Sequence, residues 1–267
     1  MLETQDRVTD HGPKTPRPSP GRWLLVAAAA AVIAVVGTLL LIARGDDEDP
    51  VDTVDSPPTT AGASAQDVLT VPGIADGFPD LEPGRYFIDP DGDDTTPLRV
   101  TYQVAAEGWS AWFGAAKFTE RGVTMLSITT VTNLVSDGCL DHTPQEPPVG
   151  PTVDDLATAL SGLAPFEVTA PPTDVTLFGY QGKHLELTTP GQGPVGCLNG
   201  EVHSWFSPLN DDGAISFSGY DAGQTEEFWI LDVEGTRLVL VKFDSPQTPA
   251  EDVAERDAIF ESIQIEP

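Results

Sequence analysis

The chain of 267 residues carries 42 Asp and Glu against 13 Lys and Arg, so its formal net charge is −29 at pH 7. A surface with this charge repels phosphate backbones and anionic lipid headgroups, which disfavours binding to nucleic acid. The acidity is equally typical of a highly soluble protein and of one adapted to high salt, and by itself it names no function.

Three segments precede the predicted folded part. Residues 1–22 are polar and contain four prolines, which predicts a disordered cytoplasmic tail. Residues 23–43 form an uncharged, apolar run of 21 residues, and a helix needs about 20 to cross a bilayer core. Basic residues precede the run and acidic residues follow it, which predicts a single-pass protein with the N-terminus inside and the C-terminal domain extracellular. The alternative is a cleaved signal peptide, whose apolar region is usually shorter.

Residues 44–72 are rich in Asp, Pro, Thr and Ser, which predicts an acidic flexible stalk. Residues 73–267 are numerous enough to form one hydrophobic core, and they are predicted to be an extracytoplasmic domain. This domain holds both cysteines, Cys139 and Cys197. An even pair in an oxidising compartment predicts one disulfide, with a metal pair or two free thiols as the alternatives.

The first half of this domain contains strand patterns. Residues 85–88 and 98–104 flank an Asp-rich turn and predict a hairpin, and the alternating residues 123–134 predict another strand. A second hairpin is predicted around the turn at 179–182, followed by a short strand at 201–206.

The clearest hairpin joins residues 228–233 to residues 236–243 through Glu234 and Gly235. Its register places Asp232 opposite Arg237, which predicts a cross-strand ion pair. Both strands are apolar on both faces, so we expect this hairpin at the centre of a sheet that is covered on each side.

Two helix starts are predicted from capping boxes. Thr152 precedes Asp155 by three residues, and residues 248–251 repeat this pattern with Pro249 at the first helical position. The last helix is expected to bury positions 250, 253, 260 and 263 against the sheet.

This order of elements includes a strand that leads to Gly108-Trp109, the hairpin at 179–182 and a terminal helix that closes at 261–265. Over roughly residues 80–267 it resembles the PsbP/Mog1-type fold. The resemblance implies an α+β class, with an antiparallel sheet flanked by helices, and a binding subunit rather than a catalyst. The overall organisation also resembles membrane-anchored envelope proteins of actinobacteria. Because a fold does not determine a function, no site residues follow from either resemblance.

Two pairs of polar residues are candidates for a metal site. His184 and Glu186 are two residues apart on a predicted strand, as are Glu201 and His203, so each pair shares one face. If the strands were neighbours, two His and two Glu side chains would form a zinc-type site. The alternative is that all four are solvent-facing polar residues.

An aromatic cluster is the other candidate site. Trp109, Trp112 and Phe113 could stack on sugar rings or form a patch that binds a protein, since aromatic residues are enriched at binding hot spots. The alternative is ordinary core packing under a loop.

Neither a G-x-S-x-G motif nor a phosphate-binding loop is present in the sequence. We therefore expect a membrane-anchored, non-catalytic binding module of the cell envelope, with an unknown envelope protein or ligand as its partner and no cofactor. The alternative is a metal-assisted or acid–base envelope hydrolase that uses the two His/Glu pairs.

Overall fold

The computed structural model describes residues 67–72, 77–209 and 221–267. All of them fall within one compact unit, Thr60–Pro267. The predicted tail at 1–22 and most of the predicted stalk at 44–72 lie outside the described residues. The last part of the predicted stalk forms strand β1 (Val68–Thr70), which pairs with a strand of the folded unit.

No helix among the described residues is long and apolar enough to cross a membrane. The two α-helices in this part of the chain have 9 and 12 residues, whereas a bilayer core requires about 20. This finding contradicts the expected single-pass membrane protein with an extracellular domain, which we do not carry further. The run at 23–43 that led to this expectation lies outside the described residues.

Strands dominate the described residues, of which 47% lie in strands and 13% in helices. The elements in chain order after β1 are β2 (Asp80–Leu81), β3 (Gly84–Ile88), β4 (Arg99–Val104), β5 (Trp109–Ala111), β6 (Gly114–Thr119), β7 (Gly122–Thr130), β8 (Asn133–Asp137), β9 (Asp141–Pro144), α1 (Val153–Ser161), β10 (Glu167–Leu177), β11 (Tyr180–Thr188), β12 (Trp205–Phe206), β13 (Thr225–Val233), β14 (Thr236–Asp244), α2 (Ala250–Glu261) and β15 (Gln264–Glu266).

The strands form three sheets. The large sheet has eight strands in the order β10-β11-β13-β14-β7-β6-β5-β2, the small sheet has the order β1-β3-β4-β15, and a third sheet has the order β12-β8-β9. All of these pairings are antiparallel except that of β1 with β3. Because antiparallel neighbours need only short turns, the chain builds most of the large sheet from consecutive hairpins.

The β13–β14 hairpin lies inside the large sheet, as its two apolar faces predict. On one face, Trp229 and Leu240 pack with residues of β3, β4 and α2. On the other face, Phe228 and Val241 pack with residues of α1, β8 and β12. Each face is therefore covered partly by one helix and partly by other strands.

This coverage contradicts the expected α+β, PsbP/Mog1-like arrangement, in which helices flank one antiparallel sheet. The fold among the described residues is mainly β, with two helices and three sheets. The physical reason is that β3, β4, β8 and β12 bury the apolar surface that helices were expected to cover. Part of this difference arises where the strand expected at 123–134 divides into β7 and β8, since β8 leaves the large sheet for the third sheet.

Of the two predicted capping boxes, one is present in the structure and the other is not. At α1, the Thr152 hydroxyl accepts the amide of Asp155, and the Asp155 carboxylate accepts the amide of Thr152, which confirms the capping box. At α2, the N-cap is Pro249, which makes no side-chain capping bond, so the second capping box is wrong. The Thr248 hydroxyl donates instead to the carbonyl of Val123, 3.0 Å away on the neighbouring strand.

One edge of the large sheet is formed by β10. Its pairing with β11 is interrupted by register shifts between Val168 and Ala170 and between Ala170 and Thr173. Pro171 and Pro172 lie within the second interruption. Bulges and prolines are tolerated at sheet edges because an interruption there affects the pairing with one neighbouring strand only.

Candidate functional site

The β5–β6 connection places two aromatic side chains at the edge of the core. Trp112 and Phe113 form the turn between β5 and β6. Phe113 has a positive φ of 36°, and its carbonyl accepts the amide of Ile128 at 2.7 Å. Gly114 follows with a φ of 145°, and an added Cβ there would lie 2.4 Å from the carbonyl oxygen of Leu126. This close approach requires glycine and fixes the turn against β7.

Three aromatic rings from different segments meet beside this turn. The ring centroids of Phe78 and Trp112 are 4.8 Å apart, and those of Phe78 and Phe118 are 5.2 Å apart. Phe78 is 48% exposed and Phe118 is 45% exposed. The rings border a cavity of about 260 Å³, which we call the aromatic groove, lined by Phe78, Trp112, Phe118, Val123, Met125 and Ser245. Its lining is therefore almost entirely apolar.

The aromatic groove differs from the patch expected at Trp109, Trp112 and Phe113. Trp109 is 0% exposed, and its indole N–H donates to a Glu255 carboxylate oxygen at 3.1 Å, so it is a core residue. Phe113 is half-buried and packs edge-on against Trp112 at 5.3 Å. Trp112 is the one member of the expected patch that lines the groove.

Sequence reasoning missed Phe78 and Phe118. The only local signal for Phe118 is its position next to the polar turn at 120–121, where an aromatic side chain is exposed on a strand end. Nothing in the sequence indicates that Phe78 lies next to Trp112. That contact depends on the pairing of β2 with β5, which joins Asp80 to Ser110.

A second cavity adjoins the aromatic groove. It has a volume of about 510 Å³, and we call it the acidic cleft; it is lined by Thr119, Glu120, Arg121, Gly122, Asp221, Ala222, Ser245, Pro246 and Gln247. Ser245 lines both cavities. Its hydroxyl donates to Asp221 at 2.7 Å and accepts the amide of Val123 at 3.2 Å, which ties the two cavities to one framework.

The charges of the acidic cleft do not cancel. Arg121 forms an ion pair of 3.3 Å with Glu251, and both side chains are mostly exposed, at 65% and 70%. With Arg121 neutralised from outside the lining, the lining itself retains the carboxylates of Glu120 and Asp221. The cleft is therefore a negatively charged cavity beside an apolar groove.

The two His/Glu pairs expected to hold a metal are not brought together. His184 lies on β11 of the large sheet and bonds to Glu227 at 2.8 Å, while Glu186 accepts the hydroxyl of Thr169. His203 lies beside the third sheet, where its amide donates to the carbonyl of Gly138 at 2.8 Å and its ring bonds to Glu201 at 2.9 Å. Among the described residues, no group of three or more His, Cys, Asp or Glu side chains is placed to hold a metal ion.

A further cleft of about 430 Å³ lies where α1 begins. Its Lys183 ammonium is held between Asp154 at 2.9 Å and Asp174 at 2.6 Å. Its Arg237 guanidinium donates to the carbonyl of Gly150 at 2.6 Å. The cations of this cleft thus hold the start of α1 and the loop before it against the large sheet, and we do not assign a ligand to it.

The disulfide expected between Cys139 and Cys197 is confirmed, with a Cα–Cα distance of 4.5 Å. The amide of Leu198 also donates to the carbonyl of Cys139 at 2.7 Å. The bond joins the β8–β9 turn to the loop before β12 and lies outside the lining of the aromatic groove.

One buried acid has a strongly raised pKa. Glu226 on β13 is fully buried, and its Oε2 atom has no hydrogen-bond partner among the described residues. Burial raises the pKa of this carboxyl to about 8, against the opposing effect of a bond of 3.3 Å from the Gln224 amide. A neutral carboxyl in a core costs less than a buried anion, so the proton stays on near neutral pH.

No known family model matches the chain, and no curated protein is significantly similar to it. Exposed aromatic faces and aliphatic side chains bind apolar groups, and adjoining carboxylates bind cations. This arrangement is suited to recognition of a ligand.

Proposed function

We propose that the folded unit is a non-catalytic binding module whose ligand inserts an apolar or aromatic group into the aromatic groove. The observation that carries this proposal is the meeting of three rings from separate segments, with Phe78 and Phe118 nearly half exposed. Leaving two such rings in water costs free energy that a bound ligand would recover. Contiguous exposed apolar surface is typical of interaction sites.

The position of the groove supports this proposal further. Trp112 is held by the β5–β6 turn, and Val123 and Met125 belong to β7, so most of the lining is fixed by the large sheet. A preformed site loses little conformational entropy when it binds its ligand. Aromatic side chains on rigid elements are also the usual anchors of binding energy.

The test is a titration of the full-length chain with indole, a neutral aromatic probe, followed by amide NMR shifts. We expect saturable shifts in residues 112–125, and Phe118→Ala should weaken binding by about tenfold. The matched control is Leu140→Ala, because Leu140 is 69% exposed and lies outside the groove lining. Unchanged binding in Phe118→Ala, or an equal loss in Leu140→Ala, would refute the proposal.

A further inference from the structure

We infer that the partner of the aromatic groove is a basic protein segment, in which an apolar anchor is followed closely by Lys or Arg. This inference rests on the proposed function and names its ligand class. The anchor would occupy the aromatic groove, and the cationic side chain would enter the acidic cleft. The two cavities share Ser245 in their linings, and the hairpin between β6 and β7 contributes to both linings.

The charge of the cleft points to a cation. Glu120 is exposed on the β6–β7 turn, and one carboxylate oxygen of Asp221 accepts the Ser245 hydroxyl at 2.7 Å. Arg121, the only basic residue among the described lining residues, is already paired with Glu251. An incoming ammonium or guanidinium group would therefore meet two carboxylates that form no ion pair with any residue the structure describes.

The part of the chain that the structure describes has few cations to offer. Every Lys and Arg among the described residues already takes part in an ion pair or a side-chain hydrogen bond, namely Arg85, Arg99, Lys117, Arg121, Lys183, Arg237, Lys242 and Arg256. Moving one of them into the cleft would break an existing contact. Compared with the described residues, a partner can supply a cation to the cleft without breaking any of these contacts.

The net charge of −29 argues against the other occupants. A second copy of this chain would bring the same negative charge to the interface. Nucleic acid and anionic lipid would be repelled for the same reason. A basic segment gains from long-range attraction and can also place its cation over an exposed ring face, as cations do in many proteins.

The experiment compares three dipeptides that differ in one side chain: N-acetyl-tryptophanyl-lysine amide and its glutamine and glutamate counterparts. Each is titrated into the full-length chain at low salt. We expect the lysine peptide to bind about fivefold more tightly than the glutamine peptide, and the glutamate peptide to bind more weakly than both. In 1 M NaCl the Debye length falls to about 3 Å, so the three affinities should converge.

The variant test removes the charges of the cleft. Glu120→Gln with Asp221→Asn keeps hydrogen-bond acceptors at both positions and should abolish the preference for the lysine peptide. Glu167→Gln is the matched control, because Glu167 is an exposed acid at the start of β10. Unchanged indole binding in the double variant would show that the groove is still formed.

The possible failures are distinct. If none of the peptides and no indole binds, the proposed function itself is wrong. If the peptides bind with equal affinity at low salt, the groove binds apolar groups but the inference of a basic partner is overturned. Loss of the lysine preference in Glu167→Gln would also overturn it, since the effect would then come from overall charge and not from the cleft.

Discussion

Asp232 and Arg237 are paired in register across the β13–β14 hairpin, yet no ion pair joins them among the described contacts. The Asp232 carboxylate accepts the amide of Gly235 in the turn at 2.8 Å. The Arg237 guanidinium turns away and donates to the carbonyls of Gly150 at 2.6 Å and Val131 at 2.9 Å. The predicted register is therefore confirmed, and the predicted ion pair is wrong. Arg237 instead connects two loops to the sheet.

This arrangement predicts that Arg237→Lys destabilises the protein even though the charge is kept. A lysine has no planar fork with which to reach several carbonyls at once. We expect the free energy of unfolding to fall by about 2 kcal/mol, measured by urea unfolding. Asp232→Asn retains a turn acceptor and should change it by less than about 0.5 kcal/mol. Equal losses in both variants would instead indicate a direct interaction between the two side chains.

Glu226 predicts an unusual dependence of stability on pH. Its pKa of about 8 in the folded protein lies above the ordinary value of 4.5, so the unfolded chain loses this proton first. The contribution of the protonated Glu226 carboxyl to the free energy of unfolding is therefore complete below about pH 4.5 and is lost as the pH rises to about 8. The slope is at most about 1.4 kcal/mol per pH unit.

The corresponding variant is Glu226→Gln, which keeps the shape of the side chain and removes the titration. At pH 7 we expect it to be more stable than the parent chain by about 3 kcal/mol, and at pH 4 the two should nearly coincide. Unfolding free energies measured from pH 4 to pH 8 test this, with the exposed Glu167→Gln as control. Parallel curves for Glu226→Gln and the parent chain would contradict the prediction.

Gly182 is predicted to be irreplaceable for steric reasons. An added Cβ would lie 2.2 Å from the carbonyl oxygen of Ile230 on the neighbouring strand β13. Gly182→Ala must therefore separate the two strands, and we expect a loss of about 3 kcal/mol in unfolding free energy. Gly191→Ala is the control, because no heavy atom lies within 4 Å of its added Cβ. If Gly182→Ala left the free energy of unfolding unchanged, the pairing of β11 with β13 would tolerate the added atom.

The disulfide predicts a stabilisation that arises mainly in the unfolded chain. Cys139 and Cys197 are separated by 58 positions, and in the chain-entropy model a closed loop of this length contributes about 4 kcal/mol. We expect the parent chain under reducing conditions and the double variant Cys139→Ser, Cys197→Ser to lose similar stability in urea unfolding. A loss below about 1 kcal/mol would show that the unfolded chain is already restricted near these residues.

Local chemistry made part of this fold predictable. The hairpin around Glu234 and Gly235 follows from a two-residue turn between apolar strands, and the start of α1 follows from Thr152 and Asp155. Both depend on atoms close together in the sequence. The capping box predicted at 248–251 does not form, because the Thr248 hydroxyl donates to the carbonyl of Val123. This contact exists only after β7 and β14 have paired.

The class of the fold and the candidate site depend on contacts of the same long-range kind. The apolar faces of β13 and β14 predict that the sheet is covered but do not predict whether helices or strands cover it. In the same way, Trp112 was recognisable within a local aromatic cluster, whereas Phe78 and Phe118 reach it through the β2–β5 and β5–β6 pairings. Strand pairing between distant segments is not encoded in any local pattern.

The prolines at the edge of the large sheet have a consequence for assembly. Pro171 and Pro172 carry no amide hydrogen, and they interrupt β10 where an added strand would have to bond. At the opposite edge, β2 has only two residues. Neither side of the large sheet offers a long, unbroken template for a neighbouring chain, which protects against edge-to-edge aggregation. A partner of this sheet is thus selected by side chains, and a backbone ladder contributes little to its recognition.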